Sequence, residues 1–75
     1  MKLRPVKAEA VVKALRKIGF QPARQKGSHL IMKHPDGRST VIPIHSGEEL
    51  GRGILMEIIG DTGLSREEFM QLLEF

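Results

Sequence analysis

The sequence predicts an α+β fold: a two-layer α-β-β-β-α sandwich with a short C-terminal helix. Three observations predict it. Apolar residues recur at steps of three and four from Ala8 and again from Ile54, which is the period of an amphipathic helix. Between those stretches lie three short runs of alternating or β-branched apolar residues, the pattern of strands. The runs are separated only by Lys26-Gly27 and Pro35-Asp36-Gly37-Arg38, and turns that short join antiparallel neighbours. At 75 residues the chain makes one domain, residues 1–75.

Each element follows from local residues. Pro5 suits the first turn of a helix, where its missing N–H costs nothing. Ala8, Val11, Val12, Leu15 and Ile18 form the apolar stripe of that helix, and Gly19 stands where a helix C-terminal glycine belongs. Phe20 to Gln25 reads as a first strand, which Pro22 weakens and places at a sheet edge or an irregular start. Ser28 to His34 reads as a second. Alternation sends Leu30 and Met32 to one face and His29, Ile31 and Lys33 to the other. Ser39 to Ile44 is the third, with Pro43 marking its end or an edge. His45-Ser46-Gly47 is a loop, and Glu48-Glu49-Leu50 a turn before the second helix. That helix has the stripe Ile54, Leu55, Ile58 and Ile59, with Gly60 and Gly63 bracketing its end. Ser65 and Glu68 then form a capping box, and Leu64 and Phe69 occupy the staple positions of a last short helix. One sheet face packs on the helices and the other stays open.

Size and charge bound the function. A chain this short buries only about 60% of its unfolded surface, so a deep pocket for a small-molecule ligand is not expected. A shallow surface suits a polymer better. There is no cysteine, hence no disulfide framework or thiolate metal site. No apolar run reaches the roughly 18 residues of a membrane span, and the N-terminus lacks a signal-peptide core; the expected setting is cytoplasmic. The net charge of +3 is unevenly spread. Residues 1–47 carry ten Lys and Arg against two acids, and residues 48–75 carry two against seven. That asymmetry suits a basic face for a polyanion. With three Phe and no Trp or Tyr, base stacking on aromatic platforms is poorly supported, so backbone contacts must supply most of the affinity.

The stretch Gln25-Lys26-Gly27-Ser28-His29 concentrates the chemistry. Gly27 permits a tight turn or a close approach by a ligand. An imidazole is the one side chain whose unperturbed titration falls near neutrality. Beside cations, that combination suits a phosphodiester. The same residues also suit a plain hairpin with an idle histidine.

The helix-strand-strand-strand-helix order is the layout of the double-stranded-RNA-binding domain, which does not by itself assign function. The motifs narrow it further. The ordered set Arg24-Gln25-Lys26-Gly27-Ser28-His29, Lys33-His34-Pro35, Val41-Ile42-Pro43-Ile44-His45, Glu49-Leu50-Gly51-Arg52-Gly53 and Gly63-Leu64-Ser65 resembles the HicA-type mRNA interferase toxins. The resemblance spans nearly the whole chain. It implies the toxin of a type II toxin–antitoxin system: a small ribonuclease that cuts mRNA and is paired with a HicB-type antitoxin covering the active surface. The family's catalytic histidine matches His29.

RNA carries its own nucleophile in the 2′-hydroxyl, so a protein need only move protons and stabilise a crowded phosphorane. His29 is therefore the expected general acid/base, worth roughly 10²–10⁴-fold. Arg24, Lys26 and Lys33 are the candidate RNA-binding cations, Gly27 allows close approach, and Ser28 offers a hydrogen bond. His45 is the candidate second proton carrier. His34, at an odd offset from His29, should face away. Seven of the nine carboxylates cluster in residues 48–75, away from the histidines in sequence, and no paired-acid or two-metal pattern appears, so neither metal nor cofactor is expected. Two other readings compete. A non-catalytic duplex-RNA-binding module fits the fold, but the region around the second helix's N-terminus has Glu48, Glu49 and only Arg52 where such modules are lysine-rich. A purely protein-binding partner would use the basic face to dock an acidic regulator.

Overall fold

The computed structural model of the chain describes residues 4–44 and 49–73. Its elements run β1 (Val6–Lys7), α1 (Ala8–Arg16), β2 (Gln21–Lys26), β3 (His29–Lys33), β4 (Ser39–Pro43), β5 (Glu49–Leu50), α2 (Arg52–Thr62) and α3 (Arg66–Leu72). The fold is the expected α+β arrangement, a three-stranded antiparallel sheet in the order β2-β3-β4 with helices on one face.

Leu30, Met32, Thr40 and Ile42 point to the helices, and Met32, Thr40 and Ile42 are buried there. Ala8, Val11, Ala14 and Leu15 meet them from α1, and Leu55, Ile58 and Ile59 from α2. Phe20 and Phe69 are fully buried, each a gain of roughly 1.5–3 kcal/mol over exposure. The opposite sheet face carries His29, Ile31 and Lys33 of β3, with Ser39, Val41 and Pro43 of β4 opposite them.

Three local departures from the sequence reading have simple causes. Lys26 is not in the turn but pairs with His29 as the last rung of the β2–β3 ladder. The turn is Gly27-Ser28, with Gly27 at φ +61° and Ser28 outside the left-handed region. That is the backbone pattern of a type II′ hairpin, which wants glycine first. Pro5 lies outside α1, which begins at Ala8. The residues before it form β1, which pairs Val6 with Leu50 and Lys7 with Glu49 of β5. Glu49-Leu50 is thus a strand rather than a turn.

Gly19 closes α1 as expected. At φ +103° it lets the Phe20 N–H reach the Leu15 carbonyl (3.1 Å) and its own N–H reach that of Arg16 (3.2 Å). These are the two bonds of a Schellman end. Gly63, at φ +73°, closes α2, while Gly60 lies inside that helix. The Ser65/Glu68 capping box opens α3, and the Lys17 ammonium donates to the Leu72 carbonyl at 3.0 Å near that helix's end.

Candidate functional site

Strand β2 is the exposed edge of the sheet, and a bulge in it decides which of its side chains reach the open face. Pro22 pairs with Met32, yet Arg24 pairs with Ile31, so Ala23 is the extra residue. Without that insertion, alternation would leave Arg24 on the same face as Pro22. With it, Pro22 stays opposite a core residue while Arg24 and Lys26 stand opposite Ile31 and His29 on the open face.

His29, Arg24, Lys26 and Lys33 are therefore on one exposed surface. Directly opposed side chains in an antiparallel pair start about 5 Å apart, so Lys26 is the immediate neighbour of His29. Arg24 is two residues further along, about 7 Å, and Lys33 four residues from His29, about 13 Å. One small anion can touch His29 and Lys26 together, with Arg24 in reach, whereas Lys33 stands too far along the strand to share it. None of these three cations forms a salt bridge among the described residues. Gly27 is exposed, and a Cβ there would meet nothing within 4 Å. The turn thus leaves open space beside His29. Ser28 is half-buried, its carbonyl accepting the Ile44 N–H at 2.6 Å. His45 lies outside the described residues.

His34 is used structurally. Its Nε2 lies 2.9 Å from the Ile18 carbonyl, and its Nδ1 accepts the Asp36 N–H at 3.1 Å. Its ring packs edge-on against Phe20 with centroids 5.1 Å apart. It bolts the end of α1 to the β3–β4 turn, away from His29, as its odd offset implied. Arg38 is likewise committed. Its Nε donates to Asp36 Oδ2 at 2.8 Å, its Nη1 donates to the Thr62 carbonyl, and its guanidinium lies over Phe20, 5.2 Å from the ring centroid. The Arg38 backbone N–H, donating to Asp36 Oδ1, holds the Asp36 carboxyl below its usual range, helped by the Arg38 side chain.

Sequence reasoning missed the other wall of the site. A groove of about 390 Å³ is lined by His29, Val41 and Pro43 of the open sheet face and by Ile54, Glu57 and Asp61 of α2. Those three helix positions are spaced i, i+3, i+7, so they form one face. The spacing was legible; that this face borders the open side of β4 was not. A second groove, about 710 Å³, runs between α1 and the core side of the sheet, with Val12, Leu30 and Ile44 in it and Lys13, Arg16 and Lys17 among its lining. Among the described residues its lining holds no imidazole.

A family model described as the HicA toxin of bacterial toxin–antitoxin systems matches residues 8–64. The chain belongs to the HicA toxin family. The match runs from the start of α1 to just past α2 and contains Arg24, Lys26, Gly27, Ser28, His29 and Lys33. As a HicA-family chain it is a toxin of the toxin–antitoxin class, which implies an antitoxin as a kind of partner. Comparison with curated proteins returned no match. Among the described residues, no helix is long and apolar enough to cross a membrane.

Proposed function

We propose that this HicA-family toxin is a metal-independent endoribonuclease that cleaves mRNA in the cytoplasm, with His29 as the group that moves the proton. The observation that carries the reading is the placement of an exposed imidazole directly across the β2–β3 ladder from Lys26, beside an open glycine turn. His29 removes the proton of a ribose 2′-hydroxyl. The 2′-oxygen bonds to phosphorus, and the bond from phosphorus to the 5′-oxygen breaks. The departing 5′-oxygen takes a proton, returned by the imidazolium or by water, with His45 the candidate for a second carrier. The products are a 2′,3′-cyclic phosphate and a 5′-hydroxyl. Lys26, with Arg24 behind it, stabilises the extra charge on the phosphorane. Lys33 holds the strand through a neighbouring phosphate, Gly27 lets the backbone lie close, and Ser28 contributes a hydrogen-bond donor. The RNA supplies its own nucleophile, so no metal-activated water is required. A HicB-type antitoxin silences the activity by covering this surface.

The test is end-group analysis of labelled mRNA incubated with the purified toxin in excess chelator. Fragments carrying a 2′,3′-cyclic phosphate (or its hydrolysed monophosphate) opposite a 5′-hydroxyl are expected. RNA that is bound but left whole would instead support the binding-module reading. Fragments with 5′-phosphate ends would contradict the 2′-hydroxyl route.

A further inference from the structure

We infer that the groove beside His29 seats one base of the RNA strand, that the base is guanine, and that Glu57 is the residue that reads it. The inference rests on the ribonuclease reading and adds a specificity subsite to it.

The site is electrically polar across the sheet. From β2 toward α2, the order is Lys26, His29, Pro43 and then the groove with Glu57 and Asp61. A phosphate is drawn to the lysine side and repelled from the carboxylates. With the phosphate at His29 and Lys26, the uncharged part of the same nucleotide or its neighbour falls toward the groove. The walls there suit a flat, apolar ring face. Val41 is 45% exposed, one of only two large hydrophobic side chains left so open among the described residues. Pro43 and Ile54 are half-buried at its sides. In a chain without Trp or Tyr, these aliphatic faces are the available packing surface for a base.

The polar groups in the groove are selective. Asp61 Oδ2 already accepts the Thr40 hydroxyl at 2.9 Å. Glu57 is exposed and makes no side-chain hydrogen bond among the described residues. An ionised carboxylate only accepts, and its two oxygens favour two parallel N–H donors. Among the four RNA bases only guanine offers two adjacent donors, N1–H and N2–H, on its Watson–Crick edge. Adenine and cytosine set a lone pair beside their amino group, and uracil flanks its single N–H with two carbonyls, all of which a carboxylate repels. Single-stranded RNA is commonly read on that edge.

The experiment uses chimeric oligonucleotides with a single ribonucleotide, so that only one bond can be cut. The four bases are placed in turn on either side of the scissile phosphate, and single-turnover rates are measured for wild type and Glu57→Gln. The expected wild-type result is cleavage about tenfold or more faster with guanine at one of the two positions, the discrimination of one good bidentate contact. In Glu57→Gln the guanine-to-adenine rate ratio should fall toward unity. A wild-type ratio near one at both positions would overturn the inference while leaving the ribonuclease reading standing. So would a guanine preference that Glu57→Gln keeps. No cleavage of these or of mRNA would remove the ribonuclease reading itself.

Discussion

Replacing Lys26 and Lys33 separately by alanine tests the register that builds the site. Lys26 directly faces His29 in the ladder, with Cβ atoms about 5 Å apart, so its ammonium can come within about 5 Å of a phosphate touching His29. At that distance a unit charge is worth about 1 kcal/mol in bulk water and about 3 kcal/mol at an effective dielectric of 20. Lys26→Ala should therefore slow the chemical step by about 5- to 150-fold. Lys33 stands four residues along the strand, about 13 Å away. In water its interaction is about 0.3 kcal/mol before screening, and a Debye length of about 8 Å reduces that to less than 0.1 kcal/mol. Lys33→Ala should leave the chemical step within about 1.5-fold. Both variants should bind RNA more weakly, and each should reduce the slope of log affinity against log salt by about 0.7 for a single strand. The assay is single-turnover cleavage at saturating RNA, paired with a salt titration of binding by an uncleavable all-2′-O-methyl strand. Equal loss of the chemical step in the two variants would refute the placement of the scissile phosphate beside Lys26.

Gly19→Ala should destabilise the fold by about 2 kcal/mol, because φ is +103° and the new Cβ would sit 2.8 Å from His34 Nε2. That corresponds to a drop in thermal midpoint of roughly 8–16 °C for a domain of this size, and a midpoint unchanged within two degrees would contradict the packing described. His34→Ala should also lower the midpoint, through the lost bond to the Ile18 carbonyl. Well below that midpoint it should cleave RNA within about threefold of wild type; a catalytic collapse there would mean that His34 belongs to the site. Asp36 and Glu68 each titrate below their usual range in the folded chain, chiefly through backbone N–H donors from Arg38 and Ser65 respectively. A depressed folded value means the stabilisation is present above the ordinary carboxylate range, about pH 4, and is lost as pH falls through the depressed value. The thermal midpoint should thus fall on acidification below about pH 4, and less steeply in the double variant Asp36→Asn with Glu68→Gln. An unaltered acid slope would show that other groups govern it.

How much of this was legible in the sequence depended on range. Strong local signals carried through: the stripe of α1, the Schellman glycine Gly19, the turn at Pro35-Asp36-Gly37 and the Ser65/Glu68 capping box each rest on residues within one or two turns of chain. The face shared by His29, Ile31 and Lys33 followed from a period of two. The β1–β5 pair did not, because two-residue strands have no periodicity and Val6 and Leu50, far apart in the chain, pair in a two-stranded sheet of their own. The Ala23 bulge was also illegible, although Pro22 marked the strand as irregular. Charge counting was the least discriminating guide. Lys17 and Arg38 counted toward a basic face, yet the structure uses them on the Leu72 and Thr62 carbonyls. Conversely, Glu57 and Asp61 counted toward a distant acidic half, yet they line the groove of His29.

The most direct measurement is the single-turnover cleavage rate of His29→Ala, taken beside its RNA affinity and melting curve. His29 is exposed on the sheet surface, so its loss should leave the thermal midpoint within about two degrees and RNA binding within about threefold. The rate should drop by at least about 10²-fold, the lower end of what a positioned proton carrier supplies. A His29→Ala protein that binds normally and still cuts at the wild-type rate would contradict the assignment of the chemistry to this imidazole.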